Sequence, residues 1–142
     1  MAFELQSISL RGASVITDES FSITDVRAFL ARYLDAVNTH QFDQVESLIH
    51  REAIIKFTDG ELRGIDAIRA AFTATWATIR EEVYSVSDVR VLYTDTHTAC
   101  VVYQFHWQGK IDGEMASGSG FGTNIVVRTA VGLQILHEHL SA

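Results

Sequence analysis

After Arg80 the apolar period of this chain changes from three or four residues to two, and it stays at two to the end. Val83–Tyr93, Thr98–Trp107, Met115–Val127 and Leu133–Leu140 are β-branched, alternating segments. Asp95-Thr96-His97, residues 109–113 and residues 129–132 join them. Connections this short leave no room for crossovers, so each strand should pair antiparallel with the next. The last two segments, around Arg128-Thr129-Ala130-Val131-Gly132, read as a β-hairpin. Strict alternation along the final strand places Leu133, Ile135, His137 and His139 in one row. Gln134, Leu136, Glu138 and Leu140 form the other row. If the first row faces a cavity, the hairpin is the floor of a binding site and the row of Glu138 fits an outer surface; if it faces water, it is only a hairpin.

Before Arg80 the spacing is helical. Ser20-Phe21-Ser22 supplies N-cap candidates, and Val26, Leu30, Tyr33, Leu34 and Val37 form one buried stripe. Phe42, Val45, Leu48 and Ile49 suggest a second, short helix. Ala53–Thr58 reads as a strand ending at the Asp59-Gly60 turn, and Gly64 to Arg80 as a third helix with Ile65, Ile68, Phe72, Trp76 and Ile79 inward. Helices segregated from a four-strand meander make an α+β fold. A long sheet covered by one helical layer must curl, which leaves a conical cavity under the helices. Residues 1–21 read as an arm of uncertain structure and residues 22–142 as a single domain, within the size range for one core.

Charge and cysteine usage exclude several classes. The net charge is −7, from 11 basic and 18 acidic residues without a basic run, so the footprint of a nucleic-acid binder is missing. No apolar stretch reaches membrane-spanning length. The start Met1-Ala2-Phe3-Glu4 lacks the pattern of a secretory signal, and a cytoplasmic protein is expected. Cys100 is the single cysteine, expected to be a small buried hydrophobe.

The pattern Arg32-Tyr33-x-x-Ala36-x-Asn38, Phe42-Asp43, Leu48 and Ala53, then Gly64-x-x-Ala67-Ile68-Arg69-x-x-Phe72, resembles the nuclear transport factor 2-like superfamily. The ending Gly122-Thr123-Asn124-x-Val126, then Gly132-x-x-Ile135-x-His137-Glu138-His139-Leu140-Ser141, is most similar to its SnoaL-like branch, near the ketosteroid isomerases, the polyketide cyclases and the association domain of calcium/calmodulin-dependent protein kinase II. The resemblance implies a cystatin-like cone: three N-terminal helices on a strongly curved, mainly antiparallel sheet. It does not fix an activity, because this scaffold carries isomerases, cyclases, hydrolases, binding modules and oligomerisation domains. Laid on the isomerases, the phenol that holds the substrate oxyanion falls on Tyr33, and their second oxyanion donor on or beside Asn124. Their carboxylate base falls on Phe57, which cannot abstract a proton. The isomerase register also implies that His137 and His139 face the pocket.

The candidate catalytic set is therefore Tyr33, Asn124, His137 and His139, with a histidine moving the proton. Tyr33 is alternatively a packing residue and the histidines alternatively hydrogen-bonded wall residues. Phe57, Phe72, Trp76, Tyr103, Phe105 and Trp107 are the candidate ligand wall, or else core. Gly118, Gly120 and Gly122 share the face of Asn124 and either leave volume there or bend the sheet. No metal is expected, since His106 opposes the parity of Tyr103, Phe105 and Trp107 and two histidines alone are too few ligands. No cofactor is expected either. The resulting expectation is a cytoplasmic homodimer, joined by its outer sheet face, that binds a small apolar carbonyl or hydroxyl compound and acts on it by cofactor-free proton transfer. A non-catalytic binder, favoured by Phe57, and an oligomerisation module are the alternatives.

Overall fold

The computed structural model describes residues 21–142, so the expected arm lies outside the described residues apart from Phe21, which is buried. Helix α1 spans Ile23–Val37. It starts where it does because Ser22 and Asp25 form a reciprocal cap. Ser22 Oγ accepts the Asp25 N–H at 2.9 Å, and Asp25 Oδ2 accepts the Ser22 N–H at 3.0 Å. Val26, Phe29, Leu30, Tyr33 and Val37 recur at helical spacing and are buried. At its C-terminal end Asn38 clasps the main chain of Tyr84, donating Nδ2–H to the Tyr84 carbonyl and accepting the Tyr84 N–H, both at 2.8 Å. This pair of bonds fixes the helix to the sheet at the position where Tyr84 enters the site.

A short helix α2, Phe42–Val45, runs into a 3₁₀ turn at Glu46–Leu48. Helix α3 spans Ile65–Thr78, two residues short of the expected end at Arg80. Arg69 of α3 bonds Asp43 at 3.1 Å and also Glu46, and its guanidinium lies over the Phe42 ring, which holds α2 against α3. None of the described helices is long and apolar enough to cross a membrane.

The sheet has six strands: β1 Ile49–Phe57, β2 Gly60–Arg63, β3 Arg80–Thr94, β4 Thr98–Ile111, β5 Glu114–Thr129 and β6 Gly132–Ser141. The four expected long strands are β3 to β6. The expected strand at Ala53–Thr58 begins earlier, at Ile49, and pairs with β2, a stretch left unassigned between the Asp59-Gly60 turn and the third helix in the sequence. The order is β2-β1-β6-β5-β4-β3. All neighbours are antiparallel except β1 and β6, which run parallel, so the sheet is mixed. Among the described residues the architecture is α+β: three helices over one face of a curved six-stranded sheet.

Between β4 and β5 the register sets Tyr103 opposite Gly122, Phe105 opposite Gly120 and Trp107 opposite Gly118. Each ring lies over the facing glycine, where an added Cβ would collide with it. The alternating glycines therefore seat rings. Bulky side chains at those positions would push the aromatic row into the cavity.

A β-bulge in β6 overturns one expectation. Val126 pairs with Ile135, but Ile125 pairs with His137, so Leu136 is an extra residue in the strand. Upstream of it the expected parity holds, and Ile135 is fully buried. Downstream the parity inverts. Glu138 is 4% exposed and faces inward, His139 is exposed, and His137 is half-buried against β1. Cys100 is half-buried rather than buried, at a β4 position alternate to the inward Ala99 and Val101.

Candidate functional site

The curl of the sheet under α1 and α3 leaves a cavity of about 460 Å³, within the range of small-molecule sites. Its walls come from every layer. Helix α1 supplies Tyr33 and Val37, and the β1–β2 hairpin supplies Ile55, Phe57, Thr58, Asp59 and Leu62. Helix α3 and its C-terminal turn supply Ala71, Phe72, Thr75, Trp76 and Ile79. The sheet supplies Glu82 and Tyr84 from β3, Phe105 and Trp107 from β4, and Glu138 and Leu140 from β6. The aromatic wall is mutually packed: Phe72 sits 5.4 Å from Trp76 and 5.5 Å from Phe42, and Tyr84 stacks on Phe105 at 6.1 Å.

Of the ten residues singled out from the sequence, six line this cavity: Tyr33, Phe57, Phe72, Trp76, Phe105 and Trp107. Tyr103 and Asn124 lie beneath the lining. The Tyr103 hydroxyl is 2.7 Å from Asn124 Oδ1 and 3.2 Å from Glu138 Oε1, donating to both acceptors. Asn124 therefore supports Tyr103 instead of offering its amide to a ligand. It is fully buried, and its Nδ2 meets no acceptor in bonding geometry among the described residues.

The histidines do not line the cavity. His137 Nδ1 lies 2.7 Å from the Ile54 carbonyl oxygen, which ties β6 to β1. His139 points away as an exposed side chain. The one-residue bulge at Leu136 is the physical cause, because it rotates everything after it by one face. His106 bonds Ser87 Oγ at 2.8 Å, off the cavity as its parity required. Among the described residues no cluster of three metal-ligating side chains forms.

What the bulge delivers in their place is Glu138. Burial pushes its carboxyl up to about 7, while the neighbouring Asn124 amide and Tyr103 hydroxyl pull in the opposite direction. The phenols around it are held protonated. Burial raises Tyr33, and the charge of Glu138 and then Tyr84 raise it further. Burial chiefly raises Tyr84 as well, with Glu138 and Glu82 adding to it. Tyr103 is raised by burial, then by Glu138. A carboxyl that titrates near neutrality, among phenols that stay protonated, can take a proton and return it while an O–H steadies an oxyanion. Glu138, Tyr84 and Glu82 escaped sequence reading. The available signal was the adjacent apolar pair Ile135-Leu136 inside a strand, which breaks strict alternation.

Comparison with known proteins agrees with this architecture. A nuclear transport factor 2 superfamily protein from Salmonella enterica superposes with a TM-score of 0.75 at 16% identity, covering 84% of this chain and 89% of that one. A ketosteroid isomerase-like protein from Erwinia carotovora gives 0.67 at 17% identity, covering 81% and 91%. The β subunit of benzoate 1,2-dioxygenase from Burkholderia mallei gives 0.71 at 12% identity, covering 85% and 90%. Identities this low speak to the fold alone. No curated protein sequence matches the chain. The model of the SnoaL-like domain matches residues 26–142, from the first helix through the last strand, and the chain belongs to that family.

Proposed function

We propose that the cavity binds a small, largely apolar molecule carrying a carbonyl or hydroxyl, and that Glu138 moves a proton on it without a cofactor. The observation that carries this reading is the buried Glu138 carboxyl at an aromatic cavity, raised to about 7 and ringed by protonated phenols. In this reading the Glu138 carboxylate removes a proton from the carbon beside the ligand carbonyl. The Tyr33 hydroxyl donates to the enolate oxygen, and protonated Glu138 returns the proton to carbon, giving isomerisation or setting up an aldol-type ring closure. Phe57 stands where the isomerases of the resemblance carry their base, so the base is supplied from β6 instead of β1. The likeness to a ketosteroid isomerase-like protein is compatible with this chemistry.

The test needs no knowledge of the natural substrate. Enolisation of 2-tetralone in D2O, followed by NMR, should be accelerated by the protein with a pH limb near 7. It should be lost in Glu138→Gln and slowed in Tyr33→Phe. Equal exchange rates in protein and Glu138→Gln would reject the catalytic role. Binding of tetralone without exchange would favour the second reading, a non-catalytic carrier, which the apolar Phe57 supports.

We also propose that two copies associate through the outer sheet face. Phe121, 66% exposed, and Leu136 lie there beside half-buried Val102, Ile125 and Val127. Apolar surface of this kind is usually covered.

A further inference from the structure

The charged side chains that line the cavity are all acidic: Glu138, Glu82 and Asp59. Among the described residues no lysine, arginine or histidine lines it. Asp59 is exposed on the β1–β2 turn, Glu82 is half-buried on β3, and Glu138 is buried. The neighbouring Glu81 points elsewhere and has a cation of its own, Lys110 Nζ at 2.7 Å. Glu82 has no ion pair among the described residues. The base nearest to it in effect is His40, whose Nε2 is engaged by the Glu82 carbonyl oxygen at 2.8 Å and whose ring is stacked on Trp76.

Two partly desolvated carboxyls thus face a space bounded by the rings of Trp76, Tyr84, Phe105 and Trp107. Aromatic faces carry negative quadrupoles and favour a cation, and desolvated carboxylates without an ion pair favour one more strongly. Both disfavour an anion. We propose that the cavity selects a ligand bearing a protonated amine on its apolar body, with Glu82 as the residue that reads the charge, and that it excludes carboxylates. The inference rests on the ligand-binding reading of the same cavity and adds the charge of the ligand to it. Burial raises the Glu82 carboxyl, with His40 opposing, as expected for a carboxyl that lacks a cation of its own.

The test uses one skeleton with three charges: 2-aminotetralin, 2-tetralol and tetralin-2-carboxylic acid, titrated calorimetrically at pH 7.5 and low salt. The amine should bind at least about tenfold more tightly than the alcohol, and the acid at least about tenfold more weakly. Glu82→Gln should lower the amine-to-alcohol affinity ratio several-fold. Glu81→Gln, the same charge change one residue away, should leave the ratio unaltered. An acid that binds as well as the alcohol, or a ratio indifferent to Glu82→Gln, would overturn the charge selection while leaving the cavity as a ligand site. Absence of binding by all three would overturn the ligand-site reading and the charge selection together.

Discussion

Replacing Glu138 by glutamine should change the pH dependence of stability in a direction opposite to ordinary acid denaturation. The folded protein holds this carboxyl at about 7, against an ordinary value of 4.5, because burial penalises the charged form. Between those values the unfolded chain has released the proton and the folded chain keeps it. The unfolded state then binds fewer protons, so stability falls as pH rises through the window from 4.5 to 7, and the loss is complete above 7. Below 4.5 both states are protonated and the group contributes nothing. With about 1.4 kcal/mol for each tenfold change in proton affinity, the full loss is on the order of 3 kcal/mol. Glutamine keeps the neutral shape and has no proton to lose. Urea unfolding of both proteins from pH 4.5 to 8, at one protein concentration, gives the difference between them at each pH. Common contributions, such as the lowered carboxyls of Asp25 and Asp95, cancel in that difference. Relative to the parent, Glu138→Gln should gain about 3 kcal/mol across the window. A difference that stays flat, or that shrinks as pH rises, would refute the buried, proton-retaining state of Glu138.

Gly122→Ala should cost about 1–3 kcal/mol in urea midpoints, because the new methyl meets the Tyr103 ring, and the cost should shrink in a Tyr103→Leu background. Ala71→Phe projects a ring from α3 into the cavity and should weaken 2-tetralol binding at least about tenfold by calorimetry, with the thermal midpoint little altered. Phe121→Asp places a charge on the outer apolar face and should convert a dimer to a monomer in light scattering; an unchanged particle mass would remove that interface.

Most of the fold was legible because its signals are local and repeated. The switch of period after Arg80, the short joins and the N-cap candidate at Ser20-Phe21-Ser22 each act within a few residues, and each matches an observed element. The aromatic wall was legible for the same reason: Phe105 and Trp107 share a face by simple alternation, and Phe72 and Trp76 are one helical turn apart. The polar part of the site was not legible. A single inserted residue, Leu136, reverses every side chain after it, and its placement is decided by the pairing with β5, which alternation along β6 alone does not carry. Strict alternation consequently turned His137 and His139 inward and Glu138 outward, the reverse of the structure. Strand β2 was missed because four residues, Gly60–Arg63, carry too little period to separate a strand from a turn. Its order in the sheet depends on β1 pairing in parallel with β6, a contact between segments some eighty residues apart along the sequence.

The seating of three rings on three glycines has a consequence for how such a protein can diversify. Because Tyr103, Phe105 and Trp107 each occupy a slot cut into the next strand, the depth of the hollow is set pair by pair along one ladder. Enlarging Gly118 while shrinking Trp107 should redistribute volume at that end of the hollow and leave the strand register intact, whereas a side chain at Gly120 would also meet the Ser141 carbonyl oxygen. At the Gly118–Trp107 pair the shape of the hollow can change through coupled exchanges on two adjacent strands that leave the carboxyl on the last strand alone, whereas shrinking Tyr103 would remove a hydroxyl that bonds Glu138.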